Sequence, residues 1–372
     1  MRRRLASIDN FLIGELFRDP PPGAINLALG QPDFGTADSV KAKGVEAVQD
    51  NRTKYTPSEG IPELREAVAR TYGGLGLQYT KNNVMISVGA TEAIMASILA
   101  FAGTGDEVIL SDPSFPLYRN QILIAGATPV YTLLNMEDDF RMKPENVEKL
   151  VTPKTRIIIL NSPHNPTGSV ATKEDIEGIA EIAKANDIVV VSDEIYRRFV
   201  YDNHVHHSIG KYLDTAIVVD GVSKEHDMTG WRIGWAVANP DILREMLKVH
   251  QAMVTCPPSM NQYAALEAIQ RGNDRLPQVI DEYQRRRNFL LEGLREMGVP
   301  SSTPRGAFYV FSRINKYGSS EQVASLFKQN GVLVAPGIIF GPAGGDYVRL
   351  TYSTVSMGEL SNALDRMKTA LK

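Results

Sequence analysis

The chain has 372 residues, 43% hydrophobic and 22% charged, with 40 Lys plus Arg against 43 Asp plus Glu and a formal net charge of −3. That length and apolar content support a large buried core, on the order of two domains at ~150 residues each. The near balance of charge supplies no field for nucleic acid, an anionic membrane or a polycationic partner, so the expected ligand is small.

Cys256 is the one cysteine, which excludes an intramolecular disulfide and fits a reducing compartment. With Pro257 and Pro258 beside it and no activating base or cation, it reads as a buried small residue. Met1-Arg2-Arg3-Arg4 imitates the start of a signal peptide, but Asp9, Asn10 and Glu15 interrupt the apolar stretch that should follow. No run of about 18 apolar residues exists to span a bilayer. A cytoplasmic protein is expected.

From residue 83 onward short apolar runs alternate with longer segments of helical period. Strands are expected at Val84 to Val88, Glu107 to Leu110, Pro129 to Leu133, Arg156 to Leu160, Ile188 to Ser192 and Ala216 to Val219. Helices are expected at Thr91 to Ala102, Leu117 to Ala125 and Thr172 to Ala185, the last opened by the capping box Thr172-Lys173-Glu174-Asp175. Runs such as IIIL and IVVV are apolar on both faces, as parallel strands covered by helices must be. The fold class is α/β, a mostly parallel sheet with helices on both faces.

Beyond Asp274 the pattern turns to α+β: a long helix carrying Arg285-Arg286-Arg287, strand-like AFYVF, a helix from Glu321 to Gln329, strands VLVA and YVRLTY, and a final helix. The Arg triplet reads as a solvated helix face. The expected division is a large domain over 41–285 and a smaller one built from 1–40 and 286–372.

In an open parallel sheet, ligands bind beyond the carboxyl ends of the strands, and four of those ends are unusual. VMISV runs into Gly89-Ala90-Thr91, a bare turn opening a helix, where unpaired amides favour an anion. IIIL runs into NSPHNPTG, in which Asn165 before Pro166 is a candidate cis peptide. IVVVS runs into Asp193-Glu194-Ile195-Tyr196, where a buried acid calls for a cation. AIVV runs into Lys224, with Arg232 eight residues on; a desolvated lysine is a nucleophile for carbonyls. Each taken singly has a bland reading: a turn, a helix cap, a snorkelling lysine paired with Asp227 or Glu225. Taken together they ask for one ligand with an aldehyde, a protonated ring nitrogen, a hydroxyl oxygen and a phosphate. Pyridoxal 5'-phosphate has all four.

At these residues the sequence resembles the class I/II aminotransferases, fold type I pyridoxal-phosphate enzymes of the aspartate aminotransferase kind. The resemblance runs from INLALGQPDF and YTPSEGIPELREAVA through SVGATEAI, DPSFPLY, NSPHNPTG, SDEIY and SKEHDMTGWRIGWA to GAFYVF, PGIIFG and YVRLTYS. It implies that Lys224 is the Schiff-base lysine and proton shuttle, that Asp193 keeps the ring nitrogen protonated, and that Asn165 and Tyr196 hold the phenolic oxygen. It further implies that Phe115 stacks on the ring and that Gly89, Ala90, Thr91, Ser223 and Arg232 hold the phosphate. Tyr55 reaches that phosphate from the neighbouring subunit, so a homodimer with shared active sites is implied. Arg349, with Gly30 and Asn165, receives the substrate's α-carboxylate.

Two departures stand out. Gly221 occupies a position where the family usually carries Ser or Thr, implying a missing phosphate hydroxyl. Thr91 stands where dicarboxylate-preferring bacterial members often carry Lys, which weakens an aspartate reading. Glu225-His226-Asp227 is also more charged than the family pattern. His204-Val205-His206-His207 has no completing ligand in sequence, so no metal is expected, and Trp231 and Trp235 read as packing beneath the phosphate.

The implied activity moves an amino group from an L-amino acid to a 2-oxo acid such as 2-oxoglutarate. A C–S β-lyase or an aminocyclopropane carboxylate synthase type enzyme would use the same lysine, aspartate and arginine. A non-catalytic pyridoxal-phosphate-sensing module is the reading from another class; residues 1–24 are too few to supply the DNA-binding domain such modules carry. The amino donor is not readable from sequence.

Overall fold

A computed structural model describes Ile8 and residues 19–372; the signal-like start and its interrupting acids lie outside the described residues. The strands are β1 (Ile25–Asn26), β2 (Val84–Ser87), β3 (Glu107–Asp112), β4 (Thr128–Leu133), β5 (Thr155–Asn161), β6 (Val189–Asp193), β7 (Ala216–Gly221), β8 (Gly234–Val237), β9 (Tyr309–Arg313), β10 (Val332–Leu333), β11 (Ala335–Pro336) and β12 (Tyr347–Thr351). Seven of them form the main sheet in the order β2-β8-β7-β6-β5-β3-β4. β8 alone is antiparallel to its neighbours, and the other pairings are parallel. The expected α/β class is what the chain adopts.

Along β5 the side chains alternate between two cores. Ile157 and Ile159 join the helices Ala90–Phe101, Pro116–Ala125 and Pro240–Val254, while Ile158 and Leu160 join the helix Lys173–Ala185. A strand covered on both faces has no polar side to show, which is why these runs are uniformly apolar. Thr172 and Asp175 form the expected capping box.

A further core is built largely from the C-terminal part. It joins the helix Leu276–Glu296, β9, β12 and the helices Ser320–Gln329 and Met357–Ala370 with Ile25 and Leu27 from the start of the described chain. β1 pairs in parallel with β10, which brings the N-terminal segment across to the C-terminal part. The expected domain boundary at 285 lies within the unbroken helix Leu276–Glu296.

Three expectations are corrected. VLVA is two strands, β10 pairing with β1 and β11 with β12, because the chain changes partner at Val334. Within the Arg triplet only Arg285 is solvated. Arg286 is buried against Asp33 and Glu282, and Arg287 makes a two-pronged pair with Asp202. A helix wedged between two layers has two buried stripes, and long cationic side chains reach acids on distant segments. Cys256 is half-buried, not buried, because it lies in the loop between two helices rather than beneath one.

Candidate active site

The four strand ends meet at one cavity of about 250 Å³, lined among others by Gly30, Ala90, Thr91, Phe115, Asn165, Asp193, Tyr196, Ser223, Lys224, Arg232 and Arg349. Asp193 ends β6 in register with Asn161 of β5 and Val219 of β7. Its carboxylate is 5% exposed, accepts from Tyr118 Oη at 2.7 Å and from the Ile195 amide at 3.2 Å. Burial pushes it up to about 6, against the opposing pull of the Tyr118 bond. Asn161 clasps the neighbouring strand: its Nδ2 donates to the Asp193 carbonyl at 2.8 Å and its Oδ1 accepts from the Asn165 amide at 2.9 Å. The Asn165–Pro166 peptide is cis, as expected.

Lys224 sits in a single helical turn, Val222–Glu225, directly after β7. The turn is half-buried at this residue, and Nζ donates to the Gly30 carbonyl at 2.7 Å. Desolvation, with the positive charges of Arg349 and Arg232, lowers the amine to about 8. Gly30 owes its identity to space: a Cβ there would lie 2.0 Å from Tyr309 Oη.

At the other end of the cavity, Gly89 has φ +75° and precedes a helix start that no side chain caps. An uncapped first turn offers unpaired amides and the positive end of the helix dipole. A Cβ on Gly89 would lie 2.3 Å from Arg232 Nη2, so the glycine lets the guanidinium lie against the turn. Arg232 also donates to the Thr229 carbonyl at 3.0 Å.

Arg349 is buried at the middle of β12, 2% exposed. Its Nη1 donates to Asn165 Oδ1 at 2.8 Å and its Nη2 to the Ala28 carbonyl at 2.5 Å. The guanidinium carbon lies 4.4 Å from the centroid of Tyr309 and 4.7 Å from that of Phe340, a cation–π enclosure. Nε is buried without a partner. The hydrogen bonds of this buried cation go to neutral oxygens, and its guanidinium lines the cavity, an environment that favours an anion beside it.

Two expected site residues stand apart. Gly89 shapes the turn without lining the cavity. Tyr55 is 87% exposed and does not line it. Sequence reasoning missed Tyr118 and Tyr309. Tyr118 lies three residues after Phe115, one helical turn along the same face, and that spacing could have found it. Tyr309 bonds Tyr196 Oη to Oη at 2.7 Å; no local signal marks it, because its partners come from elsewhere in the chain. Neither Trp231 nor Trp235 lines the cavity. Trp235 is buried with Nε1 donating to Tyr72 Oη at 2.9 Å. Trp231 is half-buried and donates to Thr36 Oγ1 at 3.3 Å. His206 is buried against Glu194 at 2.8 Å, an acid that the sequence pattern did not place near it.

Aminotransferase class I and II is the family that matches, over residues 22–367. The chain belongs to that family. It is 39% identical to aromatic-amino-acid aminotransferase 2 of Thermococcus litoralis over 94% of this chain and 92% of that one. It is likewise 39% identical to an aspartate aminotransferase of Pyrococcus abyssi, over 94% and 92% of the two chains. Among solved structures, the aspartate aminotransferase of Thermus thermophilus with maleate superposes with a TM-score of 0.95 at 34% identity, covering 100% of this chain and 99% of that one. The aromatic aminotransferase of Pyrococcus horikoshii OT3 gives 0.90 at 38% identity, covering 96% and 97%. The aminotransferase is thus similar both to relatives named for aspartate and to relatives named for aromatic amino acids. No helix among the described residues is long and apolar enough to cross a membrane.

Proposed function

We propose that this aminotransferase binds pyridoxal 5'-phosphate in the cavity and moves an amino group from an L-amino acid to a 2-oxo acid, 2-oxoglutarate being the expected acceptor. The observation that carries the reading is the convergence of Lys224, Asp193 and Arg349 on one cavity that ends at an uncapped helix start. When bound, the cofactor supplies an aldehyde that condenses with amines and a ring that accepts electrons as the α-proton leaves.

The residues present fit that group. The amides of Ala90 and Thr91, the Ser223 hydroxyl and Arg232 would hold the phosphate, and Phe115 would cover the ring. Asp193, already enclosed by Tyr118 and the Ile195 amide, would hold the proton at the ring nitrogen. Asn165 and Tyr196 would face the phenolic oxygen. Lys224, lowered to about 8, has a substantial neutral fraction near neutral pH. Its Nζ can therefore both attack a carbonyl carbon and carry a proton to or from the substrate's α-carbon.

Arg349, on the cavity wall, would orient the α-carboxylate, and the Gly30 carbonyl beside Lys224 Nζ would steer the amine. Tyr55, turned to solvent, would complete a second copy's phosphate site in a cytoplasmic homodimer. The same reading divides the chain into a cofactor-binding part, 41–285, and a smaller part from 1–40 and 286–372.

Borohydride reduction of the cofactor-loaded protein, followed by peptide mapping, should find the cofactor on the peptide containing Lys224. An adduct elsewhere would overturn the assignment. Offering the twenty common amino acids one at a time, and following the fall in the cofactor's visible absorbance, identifies the amino donor.

A further inference from the structure

Asn165 and Tyr196, the two groups assigned to the cofactor's phenolic oxygen, are each held by a residue of the C-terminal strands. Arg349 Nη1 donates to Asn165 Oδ1 at 2.8 Å. A guanidinium has only donors, so the amide oxygen must point at it and the Nδ2 group is left to donate elsewhere. Tyr196 meets Tyr309, Oη to Oη at 2.7 Å, and among the described residues each hydroxyl has the other as its hydrogen-bond partner. Both tyrosines line the cavity.

Tyr309 is fixed from several sides. On β9 it lies two residues before Phe311, which is in register with Arg349 of β12, so the Tyr309 and Arg349 side chains share a face of the sheet as diagonal neighbours. The guanidinium carbon lies 4.4 Å from the centre of the Tyr309 ring. That ring meets the ring of Tyr196 edge-on, at 5.7 Å and 84°. The Tyr309 hydroxyl rests on Gly30, where a Cβ would lie 2.0 Å from it; the neighbour on that side is a bare Cα, which accepts no hydrogen bond. One hydrogen lies between the two phenol oxygens, and its direction follows from what each hydroxyl meets. If Tyr309 donates, its hydrogen is satisfied and Tyr196 keeps its own for the cavity. If Tyr196 donates, its lone pairs face an electron-rich phenolic oxygen, and the Tyr309 hydrogen loses its partner. The first arrangement leaves no mismatch.

We propose that Tyr309 is a positioning residue: its hydroxyl donates to Tyr196 Oη and so commits the Tyr196 hydrogen to the cofactor's phenolic oxygen. This rests on the cofactor reading above. The C-terminal strands then set the polarity of both groups at that oxygen, Arg349 through the Asn165 amide and Tyr309 through the Tyr196 hydroxyl. A chain of two hydroxyls also strengthens the outer bond, because the oxygen that accepts becomes the better donor.

The test is a pH titration, by visible absorbance, of the cofactor-loaded protein without substrate. A donor on the phenolic oxygen spreads its negative charge and loosens the proton that oxygen shares with the Lys224 nitrogen, so losing the donor moves the midpoint up. Burial raises both phenols above their ordinary range, so each keeps its hydrogen throughout. Asp193, Lys224, Arg232 and Arg349, the charged groups on the same cavity, are common to parent and variants, so a difference between them reports the hydroxyls. Tyr309→Phe keeps the ring beneath Arg349 and removes only the hydroxyl. Its midpoint should rise by about half a unit, roughly a three-fold change in proton affinity. Tyr196→Phe should raise the midpoint by about one unit, and adding Tyr309→Phe to it should change nothing further, because the relay has lost its end. An unchanged midpoint in Tyr309→Phe, or the same rise with and without the Tyr196 hydroxyl, would overturn the proposal, since a purely structural role does not make one effect depend on the other hydroxyl. Weaker binding of a non-reactive carboxylic acid by Tyr309→Phe at an unmoved midpoint would also overturn it, by giving the hydroxyl to the substrate's carboxylate. A parent protein that shows no visible absorbance with added pyridoxal 5'-phosphate would instead overturn the cofactor reading.

Discussion

Arg349 Nη1 donates to Asn165 Oδ1 at 2.8 Å, joining a strand of the C-terminal part to the loop after β5, 184 residues earlier. The bond locks one arm of the guanidinium and the Ala28 carbonyl locks another, which uses two of its five N–H groups and fixes its plane on the cavity wall. Arg349→Lys cannot reproduce that fixed plane with one ammonium. It should weaken binding of carboxylate substrates or inhibitors roughly 100-fold, about 3 kcal/mol, with the absorbance of bound cofactor unchanged. Spectral titration with a non-reactive carboxylic acid measures this, and equal affinity in the variant would sink the role.

Asp193 predicts a pH dependence in the cofactor-free protein. Its carboxyl, raised to about 6 mainly by burial, holds a proton more tightly folded than unfolded, where the value is roughly 4. The stability this contributes is complete below pH ~4 and is lost as pH rises through about 6. Asp193→Asn should therefore gain about 3 kcal/mol over the parent at pH 8 and nothing from this source at pH ~4. Urea unfolding at the two pH values checks it; an equal gain at both would show that the cause is not titration.

The arginines of the long helix separate by partner. Arg287 is buried and bonded to both Asp202 oxygens at 2.7 and 2.9 Å and to the Pro304 carbonyl at 2.9 Å. Arg287→Ala should cost about 2 kcal/mol, because it leaves the Pro304 carbonyl without that donor and removes two charge-assisted bonds from Asp202, which keeps Arg305 at 3.1 Å. Arg285→Ala, on a solvated pair with Glu282, should stay within about 0.5 kcal/mol. Chemical denaturation of the two variants decides it.

Gly221 is where the family resemblance implies a lost hydroxyl. Its backbone is extended, φ 176°, so the constraint is space: a Cβ would lie 2.9 Å from both Gly234 Cα and the Ile233 carbonyl oxygen. Those are backbone atoms of the neighbouring β8 and the residue before it, and they cannot swing aside. Gly221→Ser should destabilise the protein by about 1–3 kcal/mol and bind phosphate no better than the parent. Tighter phosphate binding at unchanged stability, by calorimetry and thermal unfolding, would show that the hydroxyl can be restored.

The alternation of apolar runs and turns was enough to place nearly every strand of the main sheet and the four strand ends where polar residues gather. These are local properties: period, capping chemistry and the placement of glycine and proline act within a few residues. Lys224, Asp193, Asn165 and the Gly89 turn were legible for that reason. Tyr309 under Gly30, Tyr118 on Asp193, Arg286 and Arg287 on Asp33 and Asp202, and His206 on Glu194 were decided only by the fold. Each of those contacts joins segments from 12 to 279 residues apart, and nothing in a sequence window distinguishes a cation in water from one that meets a distant buried acid. The sequence determined which chemistry the chain carries to the end of its sheet; the tertiary structure decided which charges are buried there and what holds them.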